Sequence, residues 1–167
     1  MKHKLIILFV CLLSGNAFAQ YQLDQGKMQF NAGVGLSSWG IPVYVGLDYG
    51  LTENVSVGGE ATFRSYNEKV GSLRFKSSII GLAANGNYHF GYLLDANEEW
   101  DLYAGLNLGF YIWSTPNNYP GTSTSGLGLG AQAGVRYYVN EKLALNLEGG
   151  GGSAFSGGKL GISLLLK

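Results

Sequence analysis

The sequence predicts an all-β protein, an eight-stranded antiparallel up-and-down transmembrane β-barrel, and three observations carry that expectation. Apolar residues alternate with polar residues or glycine along almost the whole chain, which is the period of a strand. Only 13% of the residues are charged, about half the ~25% of ordinary soluble domains. Glycine (27) and tyrosine (11) are abundant and proline is rare (3), while no apolar run reaches the roughly 20 residues of a membrane-crossing helix.

The first residues stand apart. Lys2, His3 and Lys4 make a cationic start, Leu5 to Leu13 an apolar stretch, and Ala17-Phe18-Ala19 a small-x-small cleavage site, the three parts of a secretory signal peptide. The expected division is a cleaved signal peptide over 1–19 and a barrel over 20–167, the latter 148 of the 167 residues. Cys11 is the single cysteine and Val10 before it is not the small residue a lipoprotein signal wants, so the mature chain is expected to have no thiol, disulfide or cysteine metal site. Without Lys2 and Lys4, 9 basic residues face 11 acidic ones. A net charge of −2 gives no electrostatic case for nucleic acid.

The alternation is plainest in Trp100 to Trp113. Trp100, Leu102, Ala104, Leu106, Leu108, Phe110 and Ile112 share one face, and Asp101, Tyr103, Gly105, Asn107, Gly109, Tyr111 and Trp113 the other. The apolar row has an aromatic near each end, and a tilted strand of about 9–11 residues crosses a bilayer. Earlier strands follow the same rule over Lys27 to Ser37, then from Val43 to Tyr49, and from Val55 to Arg64. Thr52-Glu53-Asn54 supplies a tight turn. Tyr66 to Ser72 reads as a polar connection, and a bulge is expected near Arg74, Phe75 and Lys76. The fourth strand is clear from Ile80 to Phe90. The sixth runs from Leu127 to Val139, Asn140-Glu141 turns it, and the seventh, Leu143 to Glu148, is expected to dissolve into Gly149 to Gly158. The eighth holds Leu160, Ile162, Leu164 and Leu166.

Alternation alone is equally consistent with a secreted soluble barrel of the lipocalin kind, apolar inside. Two features favour the membrane. Asp48, Glu60, Arg64, Arg136 and Glu148 all sit on the glycine-rich face, and lipid cannot host them, so that face points inward. With a periplasmic N-terminus, Phe30, Tyr49, Tyr88, Phe90, Trp100 and Tyr137 fall at periplasmic strand ends and Phe63 and Phe110 at outer ends, forming an aromatic girdle. A free sheet edge cannot be satisfied in hydrocarbon, so the meander closes.

These features, with the phrase Val45-Gly46-Leu47-Asp48-Tyr49-Gly50-Leu51-Thr52-Glu53-Asn54-Val55-Ser56-Val57, resemble the small outer-membrane β-barrel family of the OmpX and OmpA-barrel type. The resemblance implies an outer-membrane location in a Gram-negative cell, export by the signal peptide, insertion by the barrel-assembly machinery, and lipid and lipopolysaccharide as surroundings. One departure is the end, Leu164-Leu165-Leu166-Lys167, where such proteins usually carry an aromatic. No module is expected after the last strand to grip the cell wall.

An eight-stranded barrel is just wide enough for side chains to fill it. The expected lumen is a polar network in which Asp48, Glu60 and Glu148 pair with Arg64 and Arg136, bridged by Asn31, Asn85, Asn107, Gln132 and Asn146, because a buried unpaired charge costs several kcal/mol. An arginine that exchanges partners would open a narrow channel for small solutes, which is the alternative reading. His89 is the one histidine after the leader, has no serine beside it in sequence, and is expected to face inward at the periplasmic end. No Asp/His pair, metal cluster or phosphate loop is legible, so neither enzyme activity nor a cofactor is expected; a lipopolysaccharide-modifying barrel enzyme is the weaker option. The leading expectation is a non-enzymatic monomer with a structural or adhesion-type role. Its outward loops would be Ser38 to Ile41, Tyr66 to Ser72, Ser114 to Ser125 and Gly149 to Gly158, and no sheet is expected to extend well past the membrane.

Overall fold

In the computed structural model, which describes residues 23–37, 40–70, 73–114, 125–152 and 156–166, eight strands close one antiparallel barrel in sequence order. They are β1 (Met28–Ser37), β2 (Val43–Thr52), β3 (Val55–Val70), β4 (Leu73–His89), β5 (Trp100–Ser114), β6 (Gly126–Tyr138), β7 (Leu143–Gly152) and β8 (Gly157–Leu166). The seam that joins β1 to β8 runs from Met28↔Leu166 to Ser37↔Gly157, so every strand has two neighbours and the bilayer-depth backbone has no free edge. A one-turn 3-10 helix, Gly91–Leu94, ends in left-handed Asp95 and bridges β4 and β5. The proposed signal peptide lies outside the described residues.

The sheet is organised inside out relative to a soluble protein. Leu47, Leu82, Leu106, Leu127, Leu129, Leu147 and Leu160 are exposed, while Gln29, Asn31, Asp48, Asn107, Arg136 and Asn146 are buried. Each strand obeys the two-residue period, so one register fixes both the wall that meets oil and the filling of the lumen. Eight strands leave little space inside, and glycine lets bulky neighbours fold across it. A Cβ on Gly134 would lie 2.4 Å from the Tyr103 ring, and one on Gly161 would lie 2.4 Å from the Tyr44 hydroxyl.

Four expectations about the strands are corrected. The pairing of β3 with β4 is unbroken from Val55↔Tyr88 to Val70↔Leu73, so no bulge occurs near Arg74 to Lys76. The register shift falls between Gly50 and Thr52 in β2 instead. The Tyr66 to Ser72 segment is mostly strand, since β3 continues to Val70. Gly149 to Gly152 likewise extend β7, pairing with β6 from Ala133↔Gly149 to Gly130↔Gly152. Backbone ladders need no side chains, so a glycine run continues a strand without showing an alternation.

The β3–β4 hairpin also outgrows its neighbours, contrary to the expectation of no extended sheet. β2 accompanies β3 only as far as Val43↔Phe63, and β5 accompanies β4 only from Ser78↔Ser114. From Tyr66↔Ser77 to Val70↔Leu73 the two strands pair with each other alone among the described residues.

At the opposite end a short strap precedes β1. Gly26 N–H donates to Gly50 O at 2.9 Å, Gly50 N–H donates to Lys27 O at 3.0 Å, and Lys27 pairs with Asp24. Leu23 is fully buried. A Cβ on Gly50 would sit 2.1 Å from Asp24 O, so the strap lies where a side chain at position 50 would otherwise project.

Candidate functional site

The lumen contains two ionic clusters. In the first, Arg136 on β6 donates to Asp101 Oδ2 at 3.0 Å and to Asp48 Oδ2 at 2.9 Å. Asp101 is its cross-strand partner, whereas Asp48 is reached across the lumen from β2. All three are buried, and the Tyr103 ring covers the guanidinium at 4.3 Å. Asn31 and Asn85 donate to the two Asp48 oxygens at 2.9 and 3.4 Å. From Asn31 the bonds continue through Ser163 and Asn146 to Tyr44.

In the second cluster Lys159, the cross-strand partner of Glu148, lies 2.9 Å from Glu148 Oε1 and 2.7 Å from Glu60 Oε2. Tyr103 Oη donates to Glu148 Oε2 at 2.9 Å, which ties the clusters together. The expectation that Glu60 and Glu148 pair with arginines is therefore corrected. Lysine at the start of β8 takes them both, because the register delivers it to Glu148 and the closure of the barrel turns it toward Glu60. Arg64 has no carboxylate partner among the described residues; its Nη1 reaches Ser37 Oγ at 3.5 Å. Asn107 donates to Gln132 at 2.9 Å and Gln132 to Asn87 at 2.8 Å. Between Arg64 and Lys159 lies a cavity of about 20 Å³, room for roughly one water.

A third arrangement went unread in the sequence. His89 Nδ1 lies 2.7 Å from Asp101 Oδ1 and His89 Nε2 lies 2.9 Å from Ser56 Oγ, so an Asp/His pair exists after all. The signal was available only through register. Ser56 pairs with Asn87, two residues before His89 on the same face, and His89 pairs with Tyr103, two residues after Asp101. The three are diagonal neighbours on adjacent strands.

The proposed girdle residues occupy the outer wall. Phe30, Tyr49, Phe63, Trp100, Phe110 and Tyr137 are exposed, and Tyr88 and Phe90 are half-buried. Trp100 and Tyr137, cross-strand partners, have ring centroids 4.8 Å apart. Among the described residues no cluster of His, Cys, Asp and Glu is arranged to hold a metal ion.

A closed eight-stranded barrel with apolar residues outside and charges inside belongs to the outer-membrane β-barrel proteins as a class. The chain matches the model of the outer membrane protein beta-barrel domain over residues 5–161 and belongs to that family. Among solved structures it is similar to OprG of Pseudomonas aeruginosa, with 13% identity and a TM-score of 0.66 over 88% of this chain and 99% of that one. It is similar also to the N-terminal barrel domain of Pseudomonas aeruginosa OprF, with 15% identity and a TM-score of 0.59 over 85% of this chain and 98% of that one. Neisserial surface protein A shares 18% identity, with a TM-score of 0.54 over 84% of this chain and 94% of that one. No curated protein sequence matches the chain.

Proposed function

We propose that this outer-membrane barrel is a monomeric surface-interaction protein whose working part is the projecting β3–β4 ribbon. The observation that carries this reading is the stretch from Tyr66↔Ser77 to Val70↔Leu73, paired internally and flanked by no other strand among the described residues. Its sequence includes Glu68, Lys69, Arg74 and Lys76, a charge density that belongs in water beyond the bilayer. A two-stranded ribbon whose edges are unpaired among the described residues offers main-chain donors and acceptors to an extended segment of a partner. Neisserial surface protein A, a fold relative, is by its name a surface protein. The role requires no chemistry of the barrel itself. The reading includes outer-membrane lipid and lipopolysaccharide around the apolar wall and insertion by the barrel-assembly machinery.

The test is to replace residues 67–76 by Asn-Gly, a two-residue hairpin turn, and to display both proteins on cells. Retention on collagen-coated and mucin-coated wells should fall to the level of cells without the protein, while the barrel keeps its heat-dependent gel mobility. Equal retention of the shortened protein would refute the adhesive role.

A further inference from the structure

We propose that Ser56, His89 and Asp101 form a latent serine-hydrolase site at the short-turn end of the lumen, closed in this structure by the strap of residues 23–27. The parts and their order match what acyl transfer requires. A nucleophilic hydroxyl must lie within hydrogen-bond reach of an imidazole, and the other imidazole nitrogen must be held by a carboxylate. Here those distances are 2.9 Å and 2.7 Å. The pairing fixes the tautomer: His89 Nδ1–H donates to the Asp101 carboxylate, which leaves the Nε2 lone pair facing the Ser56 hydroxyl. Asp101 is itself held from behind by Arg136 at 3.0 Å, so its orientation is set by a neighbouring strand.

Two further features distinguish this array from an ordinary buried polar contact. Asn87 stands directly across from Ser56. Its Oδ1 accepts from Gln132, which orients the side chain and leaves the amide N–H groups as donors for an oxyanion developing beside Ser56. On the other flank, Ser56 pairs with Gly50, the residue without a side chain against which Asp24 O and Leu23 O are packed. The space a substrate acyl group would need beside Ser56 is therefore the space the strap fills. This explains why Ser56, His89 and Asp101 are only 0%, 1% and 1% exposed: the site is covered by a removable piece of chain held by two backbone hydrogen bonds and the buried Leu23.

With the strap displaced, the site takes a small carboxylic ester arriving at the short-turn end. Ser56 Oγ bonds to the carbonyl carbon as its proton passes to His89 Nε2, and the carbonyl π pair moves onto oxygen beside Asn87. Collapse of that intermediate expels the alcohol oxygen, which takes the proton from His89. Water, deprotonated by His89, then releases the acid and restores Ser56. Asp101 remains a positioning residue throughout.

The experiment compares the full-length barrel in detergent micelles with two strap variants, Leu23→Ser, which removes the buried anchor, and the double variant Leu23→Ser with Lys27→Ala, which also breaks the ion pair between Lys27 and Asp24. Folding of each is confirmed by heat-dependent gel mobility. A fluorophosphonate probe should leave the wild type nearly unlabelled and label at least one folded strap variant at Ser56, located by peptide mass spectrometry. Hydrolysis of p-nitrophenyl acetate should rise in parallel. In that variant background, Ser56→Ala should abolish both signals and His89→Gln should lower them at least 100-fold. Absence of labelling at Ser56 in both folded strap variants, or labelling indifferent to His89→Gln, would overturn the proposal. The outcome is independent of cell adhesion, which reads the ribbon at the far end.

Discussion

Lys159 donates to both carboxylate oxygens of Glu60, at 2.8 and 2.7 Å, across 99 positions of sequence. The bond spans the lumen from β8 to β3 and ties the last strand to the third independently of the backbone ladder. Lys159 also serves Glu148, so its removal leaves two largely buried carboxylates without a cation. Lys159→Met is expected to destabilise the barrel by about 3–5 kcal/mol, the usual cost of breaking a buried pair. The triple change that also makes both glutamates glutamine should recover most of that loss. Urea unfolding in micelles, followed by tryptophan fluorescence, measures both.

Arg136 and Asp48 meet across the lumen, 88 residues apart, and share no backbone pairing. Their contact is therefore a tie between side chains, and a cycle is needed to separate it from the bonds of Arg136 to Asp101 and of Asn31 and Asn85 to Asp48. A double-mutant cycle with Arg136→Leu and Asp48→Asn should give a coupling energy of about 0.5–3 kcal/mol. A coupling near zero would mean that the two charges do not meet in the folded barrel.

Glycine substitutions should divide by face. Gly134→Ala places a Cβ 2.4 Å from the Tyr103 ring, which must move away from Arg136 and Glu148; a loss of about 1–3 kcal/mol is expected, as for overpacking. Gly149 faces outward with nothing within 4 Å of the added atom. There alanine should be neutral or stabilising by up to about 1 kcal/mol, through the unfolded chain. The same unfolding assay separates the two.

Trp100 is expected to lie at the lipid interface, its ring tilted against that of Tyr137. With Trp39 and Trp113 changed to Phe, its emission in vesicles should be quenched by brominated acyl chains. Quenching by aqueous iodide alone would place the outer wall in water and reverse the reading of the fold.

Much of this was legible because a barrel wall writes itself into sequence with a period of two. Trp100 to Ile112 shows oil on one side and polar filling on the other, and the same rule placed Asp48, Arg136 and Asn107 inside before any strand was paired. The rule identifies faces, not partners. Whether Glu148 meets an arginine or Lys159 depends on the β7–β8 register, and Lys159 stood beside a glycine run that showed no alternation. Ser56, His89 and Asp101 each lay on an inward face, yet only the diagonals of two registers bring them together. The ribbon was missed for a different reason. Tyr66 to Val70 carry no alternation of apolar and polar residues, while their strand is held by the backbone ladder to β4, which needs no side-chain pattern.

The seam between Met28↔Leu166 and Ser37↔Gly157 sets an order on biogenesis. A chain delivered N-terminus first presents β1 long before β8, and the outer rung of β1 cannot be filled until nearly every other strand has been laid down. Closing that ring brings together residues with almost the largest separation the polypeptide allows, an entropically slow step. Until then an unfilled rung in hydrocarbon is intolerable, so the first and last strands have to meet before either edge is committed to the bilayer.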